Sequence, residues 1–507
     1  MQVSPELIQS VVQDVLRHMR NGSPKAGRNG HSAAWGVFDQ VDDAVAAAVE
    51  AQRVFERRSL DDRKKAVDCI RRICVEQADS LGREEMQETK IGRLVHKIEK
   101  LKVAAERTPG VEFLKTDAFS GSAGVALTEY APFGVIGVIT PVTHSLPTLA
   151  GNAINMLAAG NAIVCNPHPS GAGVACHGTQ LFNQAIYDAI GINNLITIIG
   201  QPTLESAQAI FDHRDIRLLC VTGGPAVGRA ALRSPKRAIV AGPGNPPVVV
   251  DETADLENAA RSIVKGAGYD NNLLCIGEKE VFAVAEIFDE LLEIMTRCRA
   301  FRLNPNQVDA LTKAALAPAS DSGQKLVVRK EALGQDARVL AELAGVNVPP
   351  DTEILVGETE ESHPFVDIEQ MMPFVPFVRV PDVDAAIELA KKYEHGFKHT
   401  AIIHSRNVET MARMAREMDT TLFIQNGPSM AGLGIGGEGY LSFSIATPTG
   451  EGGDNTVDLY PSTAHEQHRS ENRELEFGFH VPRFKLTWQL TRAMGEEGKT
   501  SGRSLCY

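Results

Sequence analysis

From Gly134 onward the chain alternates short apolar runs with stretches of helical periodicity, and this alternation restricts the fold more than any other feature. Val135–Thr140 and residues 162–165, 195–199, 218–222 and 239–240 are too short for buried helices and lack the polar alternation of a half-exposed strand. Separated by helix-like segments, they predict βαβ units, and so a parallel sheet with helices on both faces. A second alternating block begins near Pro247, with strands expected at Pro247–Val250 and 280–285 and helices at 256–267 and 287–299. The expected class is α/β, with two Rossmann-like parallel-sheet α/β domains. A chain of 507 residues exceeds one ordinary core, and its 43% apolar content can fill two.

The segment before this block is helical scaffold. Residues 41–107 carry helical periodicity opened by Asp42 and Asp43, whose carboxylates suit a helix N-terminus. Residues 1–20 form a separate expected helix, with Ser4 as N-cap, Pro5 at the first position, and a narrow stripe of Leu7, Ile8, Val11, Val12, Val15, Leu16 and Met19. Residues 21–34 are rich in Gly, Ser, Asn and basic residues and read as a flexible tether.

A net charge of −13 without a long run of one sign argues against nucleic acid or an anionic membrane as partner and leaves small ligands as the default. No stretch reaches the roughly 18 uninterrupted apolar residues of a membrane span. The N-terminus lacks the apolar core of a signal peptide, and the eight cysteines show neither a CxxC pair nor zinc-like spacing. The expected setting is a reducing cytoplasm with free thiols and no metal.

Two segments carry chemistry. In residues 218–228 a buried strand, a Gly223-Gly224 turn and a helix start follow one another through Thr222 to Gly228, which aims free N–H groups and a positive dipole end at an anion such as a pyrophosphate. The same glycines equally serve strand–helix packing. The later turn at 242–247 precedes a strand and cannot hold phosphate in this way. Cys275 lies on a polar stretch, residues 269–279, between a helix and a strand, where a thiol can be exposed; the other seven cysteines, such as Cys69 and Cys74 in helices and Cys165 and Cys220 in strands, read as buried and inert.

Seven stretches occur in order along residues 35–452: 131–141 (APFGVIGVITP), 156–161 (MLAAGN), 221–224 (VTGG), 241–247 (AGPGNPP), Asp270-Asn271-Asn272 with Cys275, 369–373 (EQMMP) and 445–451 (IATPTGE). Together they resemble the aldehyde dehydrogenase superfamily, and within it the coenzyme A-acylating branch of ethanolamine and propanediol utilisation. The resemblance implies that Cys275 is the nucleophile, that its backbone N–H and a side chain near Thr143 hold the oxyanion, and that hydride leaves for a nicotinamide. It places Glu369 on the nicotinamide ribose and Thr222, Gly223, Gly224 and Gly228 against the cofactor phosphates. Asn166 and Pro167 stand where hydrolytic relatives contact the adenosine ribose through a lysine; NAD is expected, with NADP the alternative.

Departures from the family pattern refine this. Val240 occupies the position at which hydrolytic members carry a glutamate, so the thioester is expected to pass to the thiol of CoA, which ionises near pH ~8.5 and needs less activation than water. His144 replaces an asparagine of the branch and becomes a second candidate for the oxyanion. Branch members of bacterial microcompartments carry a tethered helix that docks on shell protein, which is the role implied for residues 1–20. The expected domains are a cofactor domain at 35–112 and 132–246, a catalytic domain at 247–430, an oligomerisation hairpin at 113–131, and a C-terminal segment, 431–507, that departs from the family after 452. The expected activity is CoA- and NAD-dependent oxidation of acetaldehyde, propanal or lactaldehyde by a homo-oligomer inside a microcompartment. A hydrolytic aldehyde dehydrogenase is the alternative enzyme, and an inactive cargo or scaffold protein the alternative of another class.

Overall fold

The computed structural model describes residues 35–122, 124–128, 131–319, 326–445 and 485–488. The expected helix and tether at 1–34, and residues 446–451 of the last motif, lie outside the described residues. Strand β1 (Val37–Phe38) is followed by four helices, Val41–Phe55, Leu60–Glu76, Ala78–Thr89 and Leu94–Arg107. Local chemistry sets their starts. Ser59 accepts the Asp62 N–H at one N-cap, and Asp42 and Asp43 occupy the first turn of the helix before it. Their inward stripes, including Ala44, Ala48, Ile70 and Leu101, join the core of the first sheet.

An antiparallel hairpin of β2 (Asp117–Gly121) and β3 (Gly124–Thr128) leads into β4 (Val135–Thr140), β5 (Ala162–Pro167), β6 (Ile196–Ile199), β7 (Ile216–Thr222) and β8 (Arg237–Ala241). With β1 these make a wholly parallel sheet in the order β1-β6-β5-β4-β7-β8. Every residue of β4, β5 and β6 is buried, which is why their sequences are mostly apolar, with Thr140, Asn166 and Thr197 the polar exceptions. The chain steps outward from β4 to β6 and then returns to lay β7 on the other side of β4. A crevice forms outside the carboxyl ends of the strands at such a reversal. It falls between the loops that follow Thr140 and Thr222.

Only residues 242–246 separate β8 from β9 (Pro247–Val250), the first strand of the second sheet. There follow β10 (Glu280–Val284), β11 (Ala300–Arg302), a small antiparallel pair β12 (Leu316–Pro318) and β13 (Leu326–Val328), then β14 (Ile354–Glu358), β15 (Phe374–Val380), β16 (Thr400–His404), β17 (Leu422–Gln425) and β18 (Lys485–Trp488). The order β11-β14-β15-β10-β9-β16-β17-β18 is parallel throughout. Strand β18 lies on the edge of β17 and has no counterpart among the sequence expectations. The second sheet has its own core, from Val248 through Phe282 and Phe377 to Phe423.

Candidate active site

Cys275 follows the helix Leu256–Gly268 and precedes β10. Between them Asp270, Asn271 and Asn272 adopt left-handed backbone with φ of 49, 56 and 60°. Asp and Asn tolerate this region better than other side chains bearing a Cβ, so the local sequence permits the sharp path. The turn is then bolted in place. Asn271 Nδ2 donates to Gly334 O and to Asp336 Oδ1, both at 2.9 Å, and Asn272 Nδ2 donates to Glu278 O at 2.9 Å. From beneath, the buried Lys279 ammonium donates to Asn272 O and Oδ1, both at 2.8 Å, and to Leu274 O at 3.2 Å.

The thiol itself is half-buried. Burial, and then the neighbouring charge of Glu369, push it up to about 12, while Lys279 and the main-chain N–H groups of Cys275 and Ile276 pull the other way. The resting sulfur is therefore a protonated thiol. The expectation that Cys275 alone among the cysteines is reachable is corrected: Cys176, on helix Ala172–Ile190, and Cys298, just after helix Phe288–Arg297, are also half-buried, each packed against the edge of a core. Cys69, Cys74, Cys165 and Cys220 are buried, and Cys506 lies outside the described residues.

The second sheet supplies the site from the amino ends of its strands. Glu369 precedes β15, accepts the Gly244 N–H, and is raised to about 7 by burial against the opposing pull of Lys279. Gly244 precedes β9 and has no room for a side chain: a methyl there would come within 2.4 Å of the Cys275 carbonyl oxygen and 3.1 Å of the His399 ring. His399 precedes β16 and is fully buried; its Nδ1 pairs with Thr400 Oγ1 at 2.8 Å, and its Nε2 has no partner among the described residues. Burial and then Lys279 lower it to about 3, so it is a neutral base. Sequence reasoning missed both Lys279 and His399. A lone lysine and a lone histidine at strand entries carry no spacing signal.

The first sheet supplies the carboxyl ends of its strands. Thr143 and His144 follow β4, and the Thr143 carbonyl receives the ammonium groups of Lys97 and Lys100. Burial, then Lys100 and Lys97, hold the His144 imidazole well below its ordinary range, so it is neutral. It bonds the Phe443 main chain, and its Nδ1 has no partner among the described residues. A neutral imidazole has one N–H, which the Phe443 carbonyl takes, so the free nitrogen can accept but not donate.

Across the crevice, Gly223 and Gly224 face open space, and a methyl on either would meet nothing within 4 Å. They lead into the N-terminus of helix Pro225–Arg233. Gly228 has a packing role instead: a Cβ there would lie 2.9 Å from Val240, which is itself buried. The Thr222 hydroxyl donates to Ser444 Oγ at 2.8 Å. Asn166, at the end of β5 with Pro167, accepts the Ser206 hydroxyl at 2.5 Å and donates to Thr203 O at 3.4 Å. Among the described residues no group of three or more His, Cys, Asp or Glu is arranged to hold a metal, and no helix is long and apolar enough to cross a membrane.

A cysteine at the amino edge of one parallel sheet, together with an open glycine turn at the strand reversal of another, is the pattern of a two-sheet dehydrogenase. The sequence matches the aldehyde dehydrogenase family over residues 13–439, and the chain belongs to that family. It is 44% identical over 446 residues to the acetylating acetaldehyde dehydrogenase of Salmonella typhimurium, covering 88% of this chain and 94% of that one. Among solved structures it is similar to Rhodopseudomonas palustris propionaldehyde dehydrogenase with bound CoA and an acylated cysteine, at 43% identity and a TM-score of 0.80 over 84% of this chain and 96% of that one. A propionaldehyde dehydrogenase from the Clostridium phytofermentans fucose utilisation bacterial microcompartment gives 42% identity and a TM-score of 0.80 over 84% of this chain and 96% of that one.

Proposed function

We propose that this enzyme oxidises a short aldehyde, such as acetaldehyde, propanal or lactaldehyde, to its acyl-CoA with NAD, through a thioester on Cys275. What supports the reading is Cys275 on its bolted loop together with Val240, a buried apolar residue at the position where the resemblance puts the water-activating glutamate of hydrolytic relatives.

The open turn at Gly223 and Gly224 fits a dinucleotide, with the helix Pro225–Arg233 N-terminus facing its phosphates, Thr222, Asn166 and Pro167 bordering it, and Glu369 available to the nicotinamide ribose. A bound nicotinamide would supply the acceptor for the hydride that leaves the carbonyl carbon once Cys275 has added to it. The Cys275 thiol gives up its proton to solvent water, the thiolate, favoured by Lys279 and the Ile276 N–H, attacks the carbonyl, and the oxyanion settles on the Cys275 N–H and the Thr143 hydroxyl. His144 shapes this pocket without donating to it. Once the thioester has formed, His399 is proposed to take the proton of an incoming CoA thiol, in keeping with its ring beside Gly244 and an Nε2 that has no partner among the described residues.

The test is cofactor reduction, followed by absorbance, across a panel of short aldehydes with and without CoA. Reduction that requires CoA and yields acyl-CoA is expected; free acid formed at the same rate without CoA overturns the proposal. Residues 1–20 are proposed to dock the enzyme, as a homo-oligomer, on microcompartment shell protein, in keeping with their single apolar stripe and with the microcompartment relative. Equal co-purification with shells after deletion of residues 1–20 would rule this out.

A further inference from the structure

Four ionisable side chains are sealed into the seam between the two sheets, none of them assigned above to the reaction. Glu85, Lys97, Lys100 and Asp270 are each fully buried. Lys97 and Lys100 stand three residues apart on helix Leu94–Arg107, and their ammonium groups converge on one acceptor, the Thr143 carbonyl oxygen, at 2.6 and 3.1 Å. Lys100 also donates to Asp270 Oδ2 at 2.5 Å, while Lys97 donates to Glu85 at 3.4 Å and lies 3.9 Å from Asp270. The second Asp270 oxygen accepts the Arg93 N–H at 2.8 Å, and the Asp270 N–H goes to His96 Nδ1 at 2.8 Å.

Burying four such groups is costly, and apolar side chains of similar size hold a seam together as well or better. Stability alone does not explain two cations on one carbonyl. What ammonium groups provide here, and methyl groups cannot, is a bridge of fixed length between two named points. One point is Thr143, after β4 of the first sheet; the other is Asp270, which opens the left-handed turn leading to Cys275 in the second. We propose that Lys97 and Lys100 are positioning residues for the reaction: they fix the spacing between the nucleophile loop and the loop that receives the oxyanion. This rests on the acylating reading given above. A displacement of about 1 Å at such a site lowers rate by about a hundredfold even when the reacting groups are intact.

The experiment uses the full-length enzyme with Lys100→Met, Lys97→Met and the charge-balanced double variant Lys100→Met/Asp270→Asn. Melting temperature, kcat, the KM values for aldehyde, NAD and CoA, and the rate of iodoacetamide labelling at Cys275 are measured on each. The double variant leaves Asp270 without a charge to compensate, so it is expected to melt near the wild type. Its kcat nonetheless falls by at least about tenfold, with KM for NAD and CoA within about twofold and Cys275 labelling within about threefold, the pattern of lost transition-state geometry. Wild-type kcat in a folded double variant overturns the proposal. So does loss of the fold in every variant, or activity that falls only as far as melting temperature does, since either assigns the cluster to stability alone. Turnover by Cys275→Ala would instead overturn the acylating reading, whatever the lysine variants do.

Discussion

The chemistry turns on how Cys275 is held between opposing charges. Its thiol is raised to about 12 by burial and Glu369, with Lys279 as the cation that limits the rise. Below that value the thiolate fraction grows about tenfold per pH unit, so iodoacetamide labelling of the free enzyme should climb steadily from pH ~7 to ~10. A plateau near pH ~8 would contradict this. Lys279→Met removes the opposing cation and should slow labelling at any pH in that range. His399 acts later in the scheme. His399→Gln is expected to leave the first burst of cofactor reduction intact while steady turnover with CoA falls by about tenfold or more, as for the loss of a general base. Rapid-mixing absorbance separates the two phases, and loss of the burst would remove His399 from the thiol-transfer step.

At the scale of elements, two glycine turns do different work and substitution separates them. The Gly223-Gly224 turn has empty space around it, so Gly223→Val should leave melting nearly unchanged and raise KM for NAD by about tenfold through obstruction of the phosphates. An unchanged KM would take the turn out of cofactor binding. Gly244 has no such space, and Gly244→Ala drives a methyl into the Cys275 carbonyl. Overpacking of this kind costs about 1–3 kcal/mol, and kcat should fall with it. The turn at Asp270–Asn272 was legible as polar loop, but its three left-handed residues were not. Their path is fixed by Arg93, Lys100 and Gly334, which come from distant parts of the chain.

For the whole molecule, buried titratable groups predict an asymmetric pH profile of stability. His96, His399 and His404 are depressed to about 4, 3 and 4, so the unfolded chain binds more protons than the fold below pH 6.5, and stability falls as pH drops. Glu278, Glu369 and Glu394 are raised to about 7, so the fold binds more protons between 7 and 4.5, and stability rises as pH drops through that window. The two sets oppose each other between 6.5 and 4.5. Below 4.5 only the losses remain, joined by Asp270, which is held at about 2 against its burial by Lys100 and Lys97. Melting temperature followed by calorimetry should be nearly flat from pH ~6.5 to ~4.5 and then drop steeply. A steady decline beginning at pH 6.5 would show that the carboxyls do not offset the histidines.

The sequence by itself determined five strands of the first sheet and the first two of the second, because a strand buried on both faces is mostly apolar: Val135–Thr140, Pro247–Val250 and the run ending at Thr222 stand where their composition puts them. It also determined the polar setting of Cys275 and the glycine turn, since both depend on neighbours in the chain. Tertiary structure alone decided what surrounds the sulfur. Lys279, His399, Gly244 and Glu369 meet because the amino ends of four strands are brought side by side, and Lys97 and Lys100 face Asp270 across a separation of about 170 residues. No local pattern records such contacts. Their energies come from burial and fixed distance, which exist only once both sheets have closed on each other.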